Sequence, residues 1–241
     1  MPRGFETTPL SRVLNIVAGV GCRVGERLGW DWLTYNPAVT AGFHRAALKD
    51  APRVVQAVLE QFPGLKSVAD VGCGTGVFAR RFMDKGLRVT ACEYGARGRR
   101  WARRQGVTCV PFDVSKDDSG LEGRPYDLVM SLEVAEHIPE PLADAFVNYL
   151  VNTGPLVVLT AAYPGQGGNG HINEQPQSYW IEKMAARGFV FDSAATKRLS
   201  RRLCELDAVW YLYENVMVFR RGAHNSHTVS GIQRIAGSAN R

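Results

Sequence analysis

Two hydrophobic periods divide the chain. Over residues 1–60 apolar positions recur at helical spacing, as at Val54, Val55, Val58 and Leu59, with Pro52 suited to the first turn of that helix. An aromatic stretch containing Trp30, Trp32 and Tyr35 interrupts this zone, and Asn36-Pro37 marks a turn. From residue 67 short β-rich runs alternate with helical stretches, at 67–71, 89–93, 108–111, 126–131 and 156–161. That alternation predicts βαβ units around a parallel sheet buried on both faces. After Gly188, runs at 189–191 and 208–219 read as two further strands flanking a helix over 196–205. The chain thus divides into a helical N-terminal extension over 1–60, expected to cap a substrate site, and an α/β domain over 61–221. The polar composition of 222–241 predicts a disordered tail.

Composition narrows the class. With 241 residues, 45% hydrophobic, the chain suffices for one globular domain with a full core. No apolar run approaches the ~18 residues a bilayer span needs. The best, 13–20, is broken by Asn15 and Gly19, follows Glu6 and lacks a clean cleavage site, so secretion is not expected. Five cysteines without a C-x-x-C pair read as reduced thiols in a cytoplasmic protein, not a disulfide framework. The net charge of +6 is carried mainly by arginine, with Arg97, Arg99, Arg100, Arg103 and Arg104 in one helix-length segment. A charge run of this kind reads as a solvated helix face, and nucleic acid is not the expected partner.

The sharpest motif is VADVGCGTGVF at 68–78, an apolar strand ending in a glycine-rich turn that opens a helix. Glycines there let the backbone approach a ligand that any Cβ would push away. A dinucleotide fingerprint would want Gly or Ala three residues after Gly74, and this chain has Val77, which counts against a nicotinamide-type oxidoreductase. Two further acids follow at strand ends. Glu93, 23 residues after Asp70, stands where a carboxylate accepts both ribose hydroxyls, and Asp113, 20 residues later, where one accepts an adenine amino group, with the Phe112 ring beside it. G-x-G-x-G with an acid two residues upstream resembles motif I of the class I S-adenosylmethionine-dependent methyltransferases. The resemblance implies a Rossmann-like fold with a mixed seven-stranded sheet. It also implies a cofactor, S-adenosylmethionine leaving as S-adenosylhomocysteine, held by Asp70, Gly72, Cys73, Gly74, Gly76, Glu93, Phe112, Asp113 and Leu132.

A second constellation follows the fourth strand, in YDLVMSLEVAEHIP at 126–139. Glu133, Glu136 and His137 stand at i, i+3, i+4, so a helical turn would place all three on one face. After the fifth strand a glycine-rich loop, 165–170, delivers His171, and a helix starting near Pro176 presents Tyr179 and Trp180. E-x-x-E-H followed by a later histidine resembles the ubiquinone-pathway O-methyltransferases and the small-RNA 3′-end 2′-O-methyltransferases. The stretch HINEQPQSYWIEKMAARGF is also similar to methyltransferases of glycan and natural-product pathways. Together the resemblance covers roughly residues 50–220. It implies a divalent metal (Mg²⁺, Mn²⁺, Fe²⁺, Co²⁺ or Zn²⁺) on Glu133, Glu136, His137 and His171, or a metal-free pocket in which these groups only shape the substrate site.

Methyl transfer from a sulfonium is an in-line displacement, so the protein positions the acceptor and removes its proton. A hydroxyl needs a base or a metal, which favours an oxygen acceptor and gives His137, His171 and Glu133 the catalytic roles. Trp32, Tyr35, Tyr179 and Trp180 are candidate substrate-stacking rings. The leading expectation is O-methylation of a small sugar, polyhydroxylated or phenolic molecule. N-methylation, RNA 2′-O-methylation and a non-catalytic cofactor-binding subunit are the alternatives, and a homodimer stays open.

Overall fold

The computed structural model describes residues 36–116, 121 and 125–222. Its first element is a 25-residue helix, α1 (Pro37–Gln61). The Asn36 side chain accepts from the amides of Ala38 and Val39 at 3.0 and 3.1 Å, and Pro37 occupies the first turn, where its missing N–H is one the helix leaves unpaired anyway. Asn36-Pro37 is therefore a helix start. Pro52 lies inside α1, not at its beginning. Burial of Ala51, Val54, Val55 and Val58 holds the helix continuous across a residue that breaks one hydrogen bond.

The remaining elements are β1 (Ser67–Val71), α2 (Val77–Asp84), β2 (Arg88–Glu93), α3 (Ala96–Arg104), β3 (Cys109–Pro111), β4 (Leu128–Leu132), α4 (Ala143–Thr153), β5 (Leu156–Thr160), α5 (Gln177–Ala185), β6 (Phe189–Phe191), α6 (Ser193–Glu205), α7 (Trp210–Asn215) and β7 (Met217–Arg221). The strands form one sheet in the order β3-β2-β1-β4-β5-β7-β6. β1 to β5 pair in parallel, and β7 runs antiparallel to both β5 and β6, which makes the sheet mixed. The 208–219 run is not a single strand. Its first half is α7, because Leu212 and Asn215, three residues apart, are the positions it buries, while its aromatics look β-forming in isolation.

β1 and β5 are buried at every residue, as a parallel sheet covered on both faces requires. Their side chains alternate between two cores. Val68, Leu128, Met130 and Val158 pack with Val54, Phe82 and Leu199, whereas Ala69, Val129, Val157 and Leu159 pack with Phe146, Leu150 and Trp180. The chain builds β2 and β3 on one side of β1, then crosses to β4 on the other. The carboxyl ends of β1 and β4 thus flank the switch point where open α/β sheets bind ligands. No described helix is long and apolar enough to cross a membrane.

Candidate active site

The glycine turn after β1 is built by its own backbone. Gly72, Gly74 and Gly76 have φ of 77°, 55° and 77°, the left-handed region that favours glycine. A Cβ on Gly72 would meet Val134 Cγ2 at 2.5 Å, and one on Gly76 would meet the Ala102 Cβ at 2.7 Å. Among the described residues nothing outside its chain neighbours lies within 4 Å of the Cβ position of Gly74, room of the kind a ligand fills. The amides of Gly72 and Cys73 both donate to the Cys92 carbonyl, at 2.9 and 3.0 Å, which ties the turn to the end of β2. The Cys73 thiol turns inward, 3.7 Å from Cys109 Sγ, and only its backbone belongs to the turn.

Two carboxylates, Asp70 and Glu93, adjoin this cradle, and a third, Asp113, follows β3. Asp70 is buried, and its Oδ2 has no hydrogen-bond partner among the described residues. Burial, then the charge of Glu93, pushes its pKa up to about 7. Glu93 accepts from Gly74 N at 2.8 Å and Gly95 N at 2.6 Å, and burial raises its pKa. Each oxygen keeps a lone pair for a further donor. Gly98 makes this fit possible. Its Cβ would lie 2.7 Å from the Gly74 carbonyl and 2.8 Å from Glu93 Cγ, a role that nothing in the local sequence marks. Asp113 binds Lys116 Nζ at 2.8 Å and Ser115 Oγ at 2.6 Å, contacts that pull its pKa down to about 2. Phe112 is buried against Tyr149, with ring centroids 4.7 Å apart. From the other side His44 of α1 packs at a tilt against the Trp101 ring, centroids 4.5 Å apart, and bonds Thr75 Oγ1 at 3.1 Å, so α1 lies against the turn. Nothing in the local sequence marks His44, because its partners Thr75 and Trp101 are 31 and 57 residues away.

The second constellation adjoins the first, since Val134, the residue that meets Gly72, sits between Glu133 and the turn Ala135–His137. That turn is a single 3₁₀ turn and Glu133 has φ 53°, so Glu133, Glu136 and His137 do not share one helical face. Glu133 accepts from Asn215 at 3.1 Å and Gln166 at 3.3 Å and is not one of the clustered ligand atoms. Those come from Glu136, His137 and His171 and lie within 4.8 Å of one another. Atoms sharing one ion at ~2.1 Å stand roughly 3–4.2 Å apart, so a small inward movement would bring the three to a common ion. Glu136 is fully buried, neither of its oxygens has a hydrogen-bond partner among the described residues, and burial with the Glu133 charge pushes its pKa up to about 9. Its Oε1 is 3.9 Å from His171 Nε2. A buried, unsatisfied carboxylate facing two imidazoles fits a divalent cation, because a cation would relieve the desolvation that now keeps it protonated.

The candidate substrate rings separate. Tyr179 is half-buried with Lys183 Nζ 4.8 Å above its ring, while Trp180 is wholly buried against Phe146. Trp180 is thus a core residue that no substrate reaches. Trp32 and Tyr35 lie outside the described residues. The arginine segment is α3, and it is not simply a solvated face. Arg99 donates to the Glu93 carbonyl at 2.9 Å and Arg103 to the Cys109 carbonyl at 3.1 Å, capping the ends of β2 and β3.

This turn, these strand-end acids and this strand order define the class I methyltransferase fold. Solved structures share it. The sugar N-methyltransferase of Streptoalloteichus superimposes with a TM-score of 0.58 at 17% identity, over 75% of this chain and 91% of that one. The S-adenosylmethionine-bound amino pentose methyltransferase of Micromonospora echinaspora gives 0.57 at 15% identity, over 76% and 96%. Residues 43–194 match the family profile described as a methyltransferase domain, and the chain belongs to that family. Among curated proteins it is similar to the ubiquinone biosynthesis O-methyltransferase of Cereibacter sphaeroides, 30% identical over 140 residues, 53% of this chain and 52% of that protein. The corresponding enzyme of Vibrio cholerae is 36% identical over 93 residues. The matched segment spans only 38% of the Vibrio protein's length.

Proposed function

We propose that this chain transfers the methyl group of S-adenosylmethionine to a hydroxyl of a small polyhydroxylated or phenolic acceptor. The observation that carries this reading is the buried Glu136 carboxyl, unsatisfied among the described residues, meeting His137 and His171 two residues beyond Val134, the wall of the glycine cradle. Amine acceptors near neutrality do not require such an array, whereas an alcohol needs its proton removed. Asp70, Gly74 and Glu93 would hold the cofactor, whose sulfonium supplies the activated methyl group. The acceptor oxygen attacks that carbon in line as the carbon–sulfur bond breaks, and in a metal-free site the hydroxyl proton passes to an imidazole Nε2 of His171 or His137. In the alternative, Glu136, His137 and His171 would hold a divalent ion, the imidazoles through those same lone pairs; the ion would lower the acceptor hydroxyl's pKa, and the proton would then leave to water. One carboxylate with two imidazoles suits Mn²⁺, Fe²⁺, Co²⁺ or Zn²⁺ at least as well as Mg²⁺. The similarity to ubiquinone biosynthesis O-methyltransferases supports the oxygen acceptor.

The test is a transfer assay with methyl-labelled cofactor against sugars, phenols and matched amines, with and without a chelator. Label on oxygen, lost on chelation and restored by Mn²⁺ or Mg²⁺, is the expected result. Label on nitrogen alone, or none with any acceptor, rejects the reading. Chelator-insensitive O-methylation rejects the metal and leaves a histidine base.

A further inference from the structure

We propose that Glu174 is a positioning residue: it sets the tautomer and orientation of His171 and latches the 165–170 loop over the acceptor half of the site. Its part in turnover rests on the function proposed above; its hold on the ring does not.

One carboxylate gathers three donors. Glu174 Oε1 accepts from His171 Nδ1 at 2.9 Å and from Gly167 N at 2.8 Å, and Oε2 accepts from Gly165 N at 2.8 Å. Gly165 and Gly167 have φ of 88° and 69°, the left-handed conformations that let alternate amides of a short loop converge on an anion. The loop also lies flat on the ring, since a Cβ on Gly168 would come within 2.3 Å of His171 Nε2. His171 is therefore held edge-on by Glu174 and face-on by backbone.

The hydrogen atoms follow from the partners. The two loop amides can only donate, one to each Glu174 oxygen, so the side chain is the acceptor of all three bonds. The donor at 2.9 Å must be His171 Nδ1–H, which places the lone pair on Nε2, the atom that faces Glu136 at 3.9 Å. His137 receives the same treatment from the same loop. Its Nδ1 lies 2.8 Å from the Gly170 carbonyl, which can only accept. Both imidazoles thus carry their proton on the outer nitrogen, and the loop that orients them is closed by Glu174. The opposite tautomer would turn an N–H toward Glu136, a form unable either to take a proton or to bind a cation.

The decisive measurement is the tautomer itself, read from long-range ¹H–¹⁵N spectra of histidine-labelled full-length protein at pH about 8.5, well above the ordinary imidazole range. Metal and acceptor are left out, and His171→Gln assigns the signal. In the wild type His171 should carry its proton on Nδ1. In Glu174→Ala it should shift toward the Nε2–H form that free imidazole favours. Glu174→Gln keeps an acceptor but sets an amide N–H against a loop amide, and should restore most of the Nδ1–H form. In the labelled-methyl assay kcat should fall roughly 10- to 100-fold in Glu174→Ala and less in Glu174→Gln. S-adenosylhomocysteine affinity should be unchanged in both. A wild-type His171 protonated on Nε2 overturns the proposal even if the variants do not fold, as does an unshifted tautomer in folded Glu174→Ala. If no acceptor is methylated by the wild type, the spectra still decide the positioning role, so the two readings fail separately.

Discussion

Asp70 carries a consequence that can be measured without any acceptor. Its pKa is raised from 3.8 to about 7 by burial and by Glu93, so the protonated form is the one that folding favours. That contribution is complete below about pH 4 and is lost as the pH climbs through about 7, at up to ~1.4 kcal/mol per unit. Urea denaturation of the cofactor-free protein should show stability falling across this window, and Asp70→Asn should flatten the slope. An equal slope in the variant would place the Asp70 proton elsewhere. Glu93 is the other informative residue of this half. Removing it takes away a charge-assisted acceptor for the ribose and the tether on Gly74, so Glu93→Ala should weaken S-adenosylmethionine and S-adenosylhomocysteine alike by about 1.5–3 kcal/mol. Calorimetry giving unchanged affinities would remove Glu93 from the site.

At the scale of elements, α5 shows how a helix divides its aromatics. Tyr179 and Trp180 are adjacent, yet one turns toward Lys183 and the other into the core beneath β4 and β5. Trp180→Ala should therefore behave as a cavity mutation, costing about 3–5 kcal/mol of stability, with the KM for acceptor in the surviving folded fraction unchanged. A raised KM at undiminished stability would return Trp180 to the substrate pocket. In α3, Arg99 and Arg103 bond carbonyls at the ends of β2 and β3, although Arg103 is exposed like Arg100 and Arg104. Part of its charge thus serves the sheet beside the glycine turn.

For the whole molecule, the net charge of +6 predicts attraction to polyanions without recognition. Structured RNA should bind weakly, with an affinity that falls steeply between low and physiological salt and no sequence preference in gel-shift titration. Tight binding and methylation of a defined RNA at physiological salt would instead make RNA the acceptor. Beside the β1–β4 switch point, α1 meets the glycine turn through His44 and the 165–170 loop meets Glu133 through Gln166.

What the chain's linear pattern determined is the sheet, its alternation with helices, and the order of the glycine turn and the strand-end acids. Those depend on period, spacing and local backbone freedom, which neighbouring residues specify. The same locality misplaces two features: propensity alone starts a helix at Pro52 and makes 208–219 a strand, and the long-range packing of α1 and α7 overrides both. Only the tertiary structure decided which polar groups meet. The Glu133 link to Asn215 spans 82 residues, His44 meets Thr75 across 31, and the Glu133 backbone adopts a left-handed conformation that no residue type announces. Burial decided the rest. Glu136 and Glu174 are both glutamates near histidines, but burial and the Glu133 charge raise the pKa of the first, while three converging donors lower that of the second. Desolvation and donor geometry are properties of the folded surroundings, so a residue's charge state is fixed only once the chain has closed around it.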